Sequence, residues 1–204
     1  MTNTLNKKEI IGLLPHREPM LLIEQLINIK KLFSESGNFI GKFIITRGVS
    51  GRGYQFKKNI RCTRVLLKNK FTPIQKEIAV EGVCLKVCKQ RLSKNSILPS
   101  IKHLNRLENV LAKMELEKNF FDGILLDSDG HVNECISSTI IMRVGDTLYF
   151  PSQHGAGVSG VTKKIIMDNI KYLGFKIKIK EILLEELKKS DEVVITNSII
   201  GAIP

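Results

Sequence analysis

Ser100-Ile101-Lys102-His103-Leu104-Asn105-Arg106-Leu107-Glu108 is the stretch whose reading decides the fold. A single lysine stands between a loop rich in Pro and Ser (Leu98, Pro99, Ser100) and a run with helical periodicity. Leu104, Leu107, Val110, Leu111 and Met114 fall on one helical face, which predicts a helix packed inward along that face. Lys102 then sits at or just before the helix start, its amine within reach of a cavity. An amine withdrawn from water gives up its proton more readily and can form a Schiff base. Taken by itself, the stretch reads first as a solvated lysine in a lysine-rich chain. The rest of the sequence has to decide.

At 204 residues the chain can bury a sizeable core, as one large or two small domains. No apolar run is long enough to span a bilayer, and the start, Met1 to Lys8, leads into no signal-peptide core. The expected setting is the cytoplasm, without a membrane. Cys62, Cys84, Cys88 and Cys135 form no CxxC pair and have no histidine at zinc spacing, so free, half-buried thiols and no metal are expected. The net charge is +12, but the lysines are scattered singly among Ile, Leu and Glu, and there is no Trp. Dispersed charge of this kind suits small anionic ligands. Nucleic acid is not expected as a partner, and any binding to it should fade as salt rises.

In chain order, Lys8 to Leu14 reads as a short amphipathic helix stopped by Pro15. Residues 39–46 and 61–67 alternate as paired strands around the loop Gly48-Val49-Ser50-Gly51-Arg52-Gly53-Tyr54, which lacks the order of a dinucleotide fingerprint. Thr72-Pro73 opens an irregular linker, and residues 83–90 form an alternating strand. A strand over 122–126 runs into the turn Asp127-Ser128-Asp129-Gly130, which aims Glu134 inward. Strands over 136–143 and 147–151 follow. Gly157 to Thr162 precedes a helix with Ile165, Ile166, Ile170 and Leu173 on its apolar side, ended by Gly174. Free amides at its N-terminus make an anion site, compatible with Ser159 as a plain N-cap. A strand over 175–179, a helix over 183–189 and a buried strand over 192–196 bring Asn197 and Ser198 to a strand's carboxyl end, where ligands bind in such folds.

Ile101 to Glu108 resembles the cofactor-lysine segment of the 4-amino-4-deoxychorismate lyases, fold-type IV enzymes that use pyridoxal 5'-phosphate. Three further stretches resemble that family in the same order. They are Ile45-Thr46-Arg47-Gly48 with Gly51-Arg52-Gly53-Tyr54, then Leu126 to Cys135, then Ile195-Thr196-Asn197-Ser198 with Gly201. The resemblance implies an α+β fold in two lobes, a fold-type IV architecture shortened at both ends. Residues 1–72 would be the remnant of the small N-terminal lobe and 73–204 the large cofactor-binding lobe without the family's last elements. Lys102 would bond the cofactor and shuttle protons, and Glu134 would face the pyridine nitrogen. The amides of Val161 and Thr162 would hold the phosphate, and Ser198 would add a cofactor contact. Arg47, Arg52, Arg64 and Asn197 would meet the substrate.

The implied reaction is elimination of pyruvate from 4-amino-4-deoxychorismate to give 4-aminobenzoate, by a homodimer. Branched-chain and D-amino-acid transaminases share the fold, so they stay open as alternatives, as does a non-enzymatic remnant. The family's phosphate-clamping arginine has only Lys7 near its place, and Thr139 stands where the family usually has Asn. Those departures imply a weakened enzyme. Residues 13–23 also resemble the N-terminal segment of hot-dog-fold hydroxyacyl-carrier-protein dehydratases. That family's catalytic histidine is missing further on, which leaves His16 as a loop residue.

Overall fold

Runs of β-branched and aliphatic residues on either side of a glycine-rich connection build the first ladder of the chain. In the computed structural model, which describes residues 37–54, 60–94, 100–153 and 155–204, β1 (Phe39–Thr46) pairs antiparallel with β2 (Thr63–Lys70). The register runs from Phe39 opposite Lys70 to Thr46 opposite Thr63. Gly48 begins the connection at φ +104, where a Cβ would collide with the Arg61 carbonyl, so only glycine fits. Its amide donates to Thr46 Oγ1 at 3.3 Å. The readings placed on Lys7, on Lys8 to Leu14, on His16 and on 13–23 lie outside the described residues.

The chain divides into two units, Met1–Pro73 and Ile74–Pro204. The second opens with α1 (Lys76–Glu81), a helix where the sequence suggests only an irregular linker. Ile78 of this helix and Ile74, just ahead of its extended cap Gln75, both lean on the core and hold the helix to it. β3 (Leu85–Leu92) runs parallel to β4 (Asp122–Asp127), which pairs with β5 (His131–Cys135). Asp127 shapes the turn between β4 and β5 by accepting the amides of Asp129 and His131 at 3.0 and 2.9 Å. β6 (Thr139–Val144), β7 (Thr147–Pro151), β8 (Lys176–Lys180), β9 (Ile182–Leu183), β10 (Glu192–Asn197) and β11 (Gly201–Ile203) complete two sheets. One has the order β3-β4-β5-β9 and the other β11-β10-β6-β7-β8.

Side-chain alternation then sets the layers. Ile124 and Leu126 of β4 face Ile140 and Met142 of β6 and Ile195 of β10 across the main core. Leu125 points to the opposite side of its sheet, where it meets Cys88, Leu92 and Ala112. Ala112 belongs to α2 (Leu107–Met114), which covers that side. Ile141, Leu148 and Phe150 point outward from the other sheet and are covered by Ile166 and Met167 of α3 (Val161–Asn169) and by Ile170 in the 3-10 turn that follows. The unit is therefore four layers deep: helix, sheet, sheet, helix. α4 (Leu184–Lys188) plugs one edge through Leu187.

Two expectations from periodicity do not hold. α2 turns its apolar stripe outward, with Leu107, Val110, Leu111 and Met114 all exposed and Ala112 alone buried, and Leu104, which lies ahead of the helix, is exposed as well. The small side chain wins because Cys88 lies directly beneath the helix, its thiol 3.9 Å from the Ala112 carbonyl oxygen. Likewise Ile165 and Leu173 are exposed, and only Ile166 and Ile170 of that predicted face pack on the sheet. The four thiols are free as expected, but Cys88 and Cys135 are buried, Cys84 is exposed and only Cys62 is half-buried. Burial pushes the Cys88 and Cys135 thiols up.

Candidate functional site

Val132 and Cys135 both face the core between the sheets, three residues apart, where plain alternation would put them on opposite faces. The strand resolves this with a bulge, because Leu125 pairs with Glu134 while its neighbour Leu126 pairs with Val132. Asn133 is the extra residue, and Asn133 and Glu134 are both left pointing away from the core. Glu134 is 4% exposed. Burial pushes its carboxyl up to about 7, opposed by the Val158 amide and by the charges of Arg106 and Lys102. The Val158 amide donates to Glu134 Oε2 at 2.7 Å.

Lys102 is exposed and lies on an irregular stretch, because α2 begins only at Leu107 and not at the lysine. The stretch is strapped by Arg106. Its Nε donates to the His103 carbonyl at 3.1 Å and its Nη2 to the Ile101 carbonyl at 2.9 Å, one on each side of Lys102. The His103 amide closes a further bond to the Ile101 carbonyl at 2.9 Å. Upstream, Ser100 sits at φ +65 and forms a parallel bridge with Val158, and the Ser159 amide donates to the Ser100 carbonyl at 2.9 Å. The loop over 157–160 thus holds both the carboxylate of Glu134 and the backbone that carries Lys102.

Gly157 makes this approach possible. A Cβ there would fall on the Asn133 side-chain oxygen and 3.1 Å from Glu134 Oε2, and its φ of +79 disfavours any other residue. The Asn133 oxygen is buried without a hydrogen-bond partner among the described residues. Gly160 caps α3 without a side-chain hydrogen bond, so Ser159 is not the cap, and the amides of Val161 and Thr162 stand at the helix start. They follow by three and four residues the Val158 amide that holds the buried carboxylate.

Asn197 is tied to the backbone on both sides of its turn. Its Oδ1 accepts the Ile199 and Ile200 amides at 2.8 and 2.9 Å, and its Nδ2 donates to the Ser137 carbonyl at 3.1 Å. It therefore builds the β10–β11 turn and places Ser198, which is exposed, at its tip. Arg47, Arg52 and Arg64 belong to the first unit and are exposed, Arg64 opposite Ile45 in the ladder. Among the described residues the second unit brings together Lys102, Glu134, Val161 and Thr162 around one loop.

Three residues that reading for motifs passes over also shape the site. Arg106 straps the Lys102 stretch. Asp122 is buried at 1% exposure and accepts Ser137 Oγ and Ser138 Oγ at 2.8 and 2.7 Å. It fixes the strand leaving Glu134 and raises the Glu134 carboxyl. Lys163 is 7% exposed at the first turn of α3. Its signal was present in the sequence: Lys163, Ile166 and Ile170 share one helical face, and a lysine on an apolar face asks for a reason.

The sequence profile of the amino-transferase class IV family matches residues 20–204. The aminodeoxychorismate lyase of Vibrio harveyi is 31% identical over 165 residues, which is 80% of this chain and 60% of that protein. The enzyme of the same name from Bacillus subtilis is 29% identical over 202 residues, 98% of this chain and 64% of that one. The chain therefore spans a little under two thirds of these relatives' length. The crystal structure of 4-amino-4-deoxychorismate lyase from Pseudomonas aeruginosa superposes with a TM-score of 0.83 at 30% identity, covering 90% of this chain and 67% of that one. Its fold is the fold-type IV arrangement, and with the profile spanning nearly the whole sequence this chain belongs to the amino-transferase class IV family.

Proposed function

We propose that this chain binds pyridoxal 5'-phosphate and eliminates pyruvate from 4-amino-4-deoxychorismate, releasing 4-aminobenzoate for folate synthesis. The observation that carries the reading is the loop over 157–160, which ties an amine-bearing stretch to a buried carboxylate beside a helix N-terminus. The residues fit the cofactor. Gly157 lets backbone approach the carboxylate where a side chain would fill the space, and the start of α3 offers uncapped amides. When bound, the cofactor supplies an electron sink for negative charge developed beside the substrate nitrogen.

Lys102 would hold the cofactor through its amine and, once displaced by the substrate, take up and return a proton at Nζ. Glu134, ionised, would keep a proton on the pyridine nitrogen. The amides of Val161 and Thr162 would bind the phosphate, aided by the helix dipole. Ser198 would add a hydroxyl contact to the cofactor, and Asn197, which shapes the turn carrying it, would meet the substrate. Arg47, Arg52 and Arg64 are the proposed partners of substrate carboxylates, by charge-assisted hydrogen bonds. Among the described residues no helix is long and apolar enough to cross a membrane. A cytoplasmic homodimer acting on a small molecule, not on nucleic acid, is the proposed setting.

The test joins chemistry to a residue. With pyridoxal 5'-phosphate present, borohydride should fix a phosphopyridoxyl mass on the peptide carrying Lys102, and Lys102→Ala should abolish it. A label on another lysine, or none on folded protein, ends the cofactor reading. A transaminase is the second reading, since the matching family is named for that reaction. Release of 4-aminobenzoate and pyruvate without any added keto acid supports the lyase, and strict dependence on a keto acid supports the transaminase.

A further inference from the structure

The mechanism above leaves Lys163 and Gln153 unused. Lys163 is 7% exposed, with its ammonium 5.8 Å from the Phe150 ring centroid and 3.3 Å from Gln153 Oε1. The other end of the same amide, Gln153 Nε2, donates to the Val158 carbonyl at 2.6 Å. On the far side of that residue the Val158 amide donates to Glu134 Oε2 at 2.7 Å. Lysine to glutamine to backbone to carboxylate is one continuous chain of donors and acceptors. It orients Gln153 unambiguously, because an ammonium can only donate and a carbonyl can only accept.

We propose that Lys163 and Gln153 are a positioning pair that aims the Val158 amide at Glu134, and through the Val158–Ser100 bridge sets the backbone carrying Lys102. Neither touches the reacting atoms. The proposal rests on the reading of Glu134 as the cofactor's carboxylate only for its consequence in catalysis, because the chain of contacts exists in the protein alone. A buried cation is costly to keep unless it is paired and hydrogen-bonded, and Lys163 has the Gln153 oxygen as its acceptor. Here burial pushes the Lys163 ammonium below its ordinary value and the Glu134 carboxylate pushes it back up. The charged and titratable groups facing Glu134 are Arg106 and Lys102 from the loop, Asp122 from β4, its neighbour Cys135 and Lys163 from α3. Of everything acting on Glu134, the Val158 amide is the strongest influence favouring ionisation. Losing its aim should therefore raise the carboxyl further.

The experiment follows the Glu134 carboxyl carbon by NMR through a pH titration of the full chain without cofactor, assigned by Glu134→Gln. The parent should titrate near 7. Gln153→Leu and Lys163→Met should each move the midpoint upward, and Gln153→Glu should do the same, since it keeps an acceptor for Lys163 but loses the donor to Val158. Lys163→Arg should restore the parent midpoint. Gln153→Leu with Lys163→Met should shift it by less than the sum of the two single changes, because both break one chain while only the lysine also acts on Glu134 by its charge. Lys163→Met removes a buried charge and is expected to fold, and the Gln153 and Lys163→Arg variants answer the question by themselves if it does not. An unmoved midpoint in folded Gln153→Leu overturns the proposal, as does a fall towards the ordinary carboxylate range, which would mean the loop had merely opened. Affinity for pyridoxal 5'-phosphate, measured by fluorescence, should drop about tenfold in the same variants. If the parent binds no cofactor, the functional reading fails while the titration still judges the pair.

Discussion

Glu134 is the residue at which stability and activity pull apart. Its carboxyl is about 7 in the folded chain and near 4.5 once hydrated. Between those values the native state holds the proton more tightly than the unfolded state, so stability falls as pH rises through this window and the full penalty is present above it. Glu134→Gln removes the titration. It is expected to be more stable than the parent at pH 8, by an upper bound of roughly 3 kcal/mol, and nearly equal to it at pH 4. Urea melts at the two pH values check this, and equal differences at both would contradict it. The same variant should lose the proposed chemistry, since an amide cannot balance a protonated pyridine nitrogen.

At the scale of elements, the lesson lies in what each motif depends on. The β1–β2 ladder, β4, the Asp127 turn and the length of β10 were legible because local alternation and turn chemistry decide them. The start of α3 was legible too, because the glycines before Val161 break the chain where the helical period begins. The orientation of α2 was not. Its stripe of Leu107, Val110, Leu111 and Met114 has the spacing of a buried face, yet a helix packs where its partner leaves room, and over Cys88 the room is for Ala112. The bulge at Asn133 was also hidden, as it arises from where β4 and the opposing sheet place their side chains. The outward stripe suits the proposed homodimer. Leu107→Glu combined with Met114→Glu is expected to show a loss of self-association in sedimentation, and to leave the melting temperature within about 2 °C of the parent when both are diluted until the parent is monomeric. A large drop in melting temperature would instead mean that the stripe is covered within the chain.

For the unit Ile74–Pro204 as a whole, the loop over 157–160 belongs to the five-stranded half by chain connection and to the four-stranded half by its contacts. It is a clasp between the halves, and clasps open as one piece. The Ser159 amide donates to a neutral backbone carbonyl, that of Ser100, and nothing in that bond can titrate. The neighbouring amide, Val158, is tied to a carboxylate that can. If opening hydrates Glu134, both amides must share one opening free energy, and it must shrink as pH rises from about 4.5 towards 7. Deuterium should therefore enter Val158 and Ser159 at matching rates once intrinsic chemistry is divided out, with protection declining together across that window. Ser159 would then register the ionisation of a side chain it never touches, and unequal or pH-independent protection would show that the clasp opens one latch at a time.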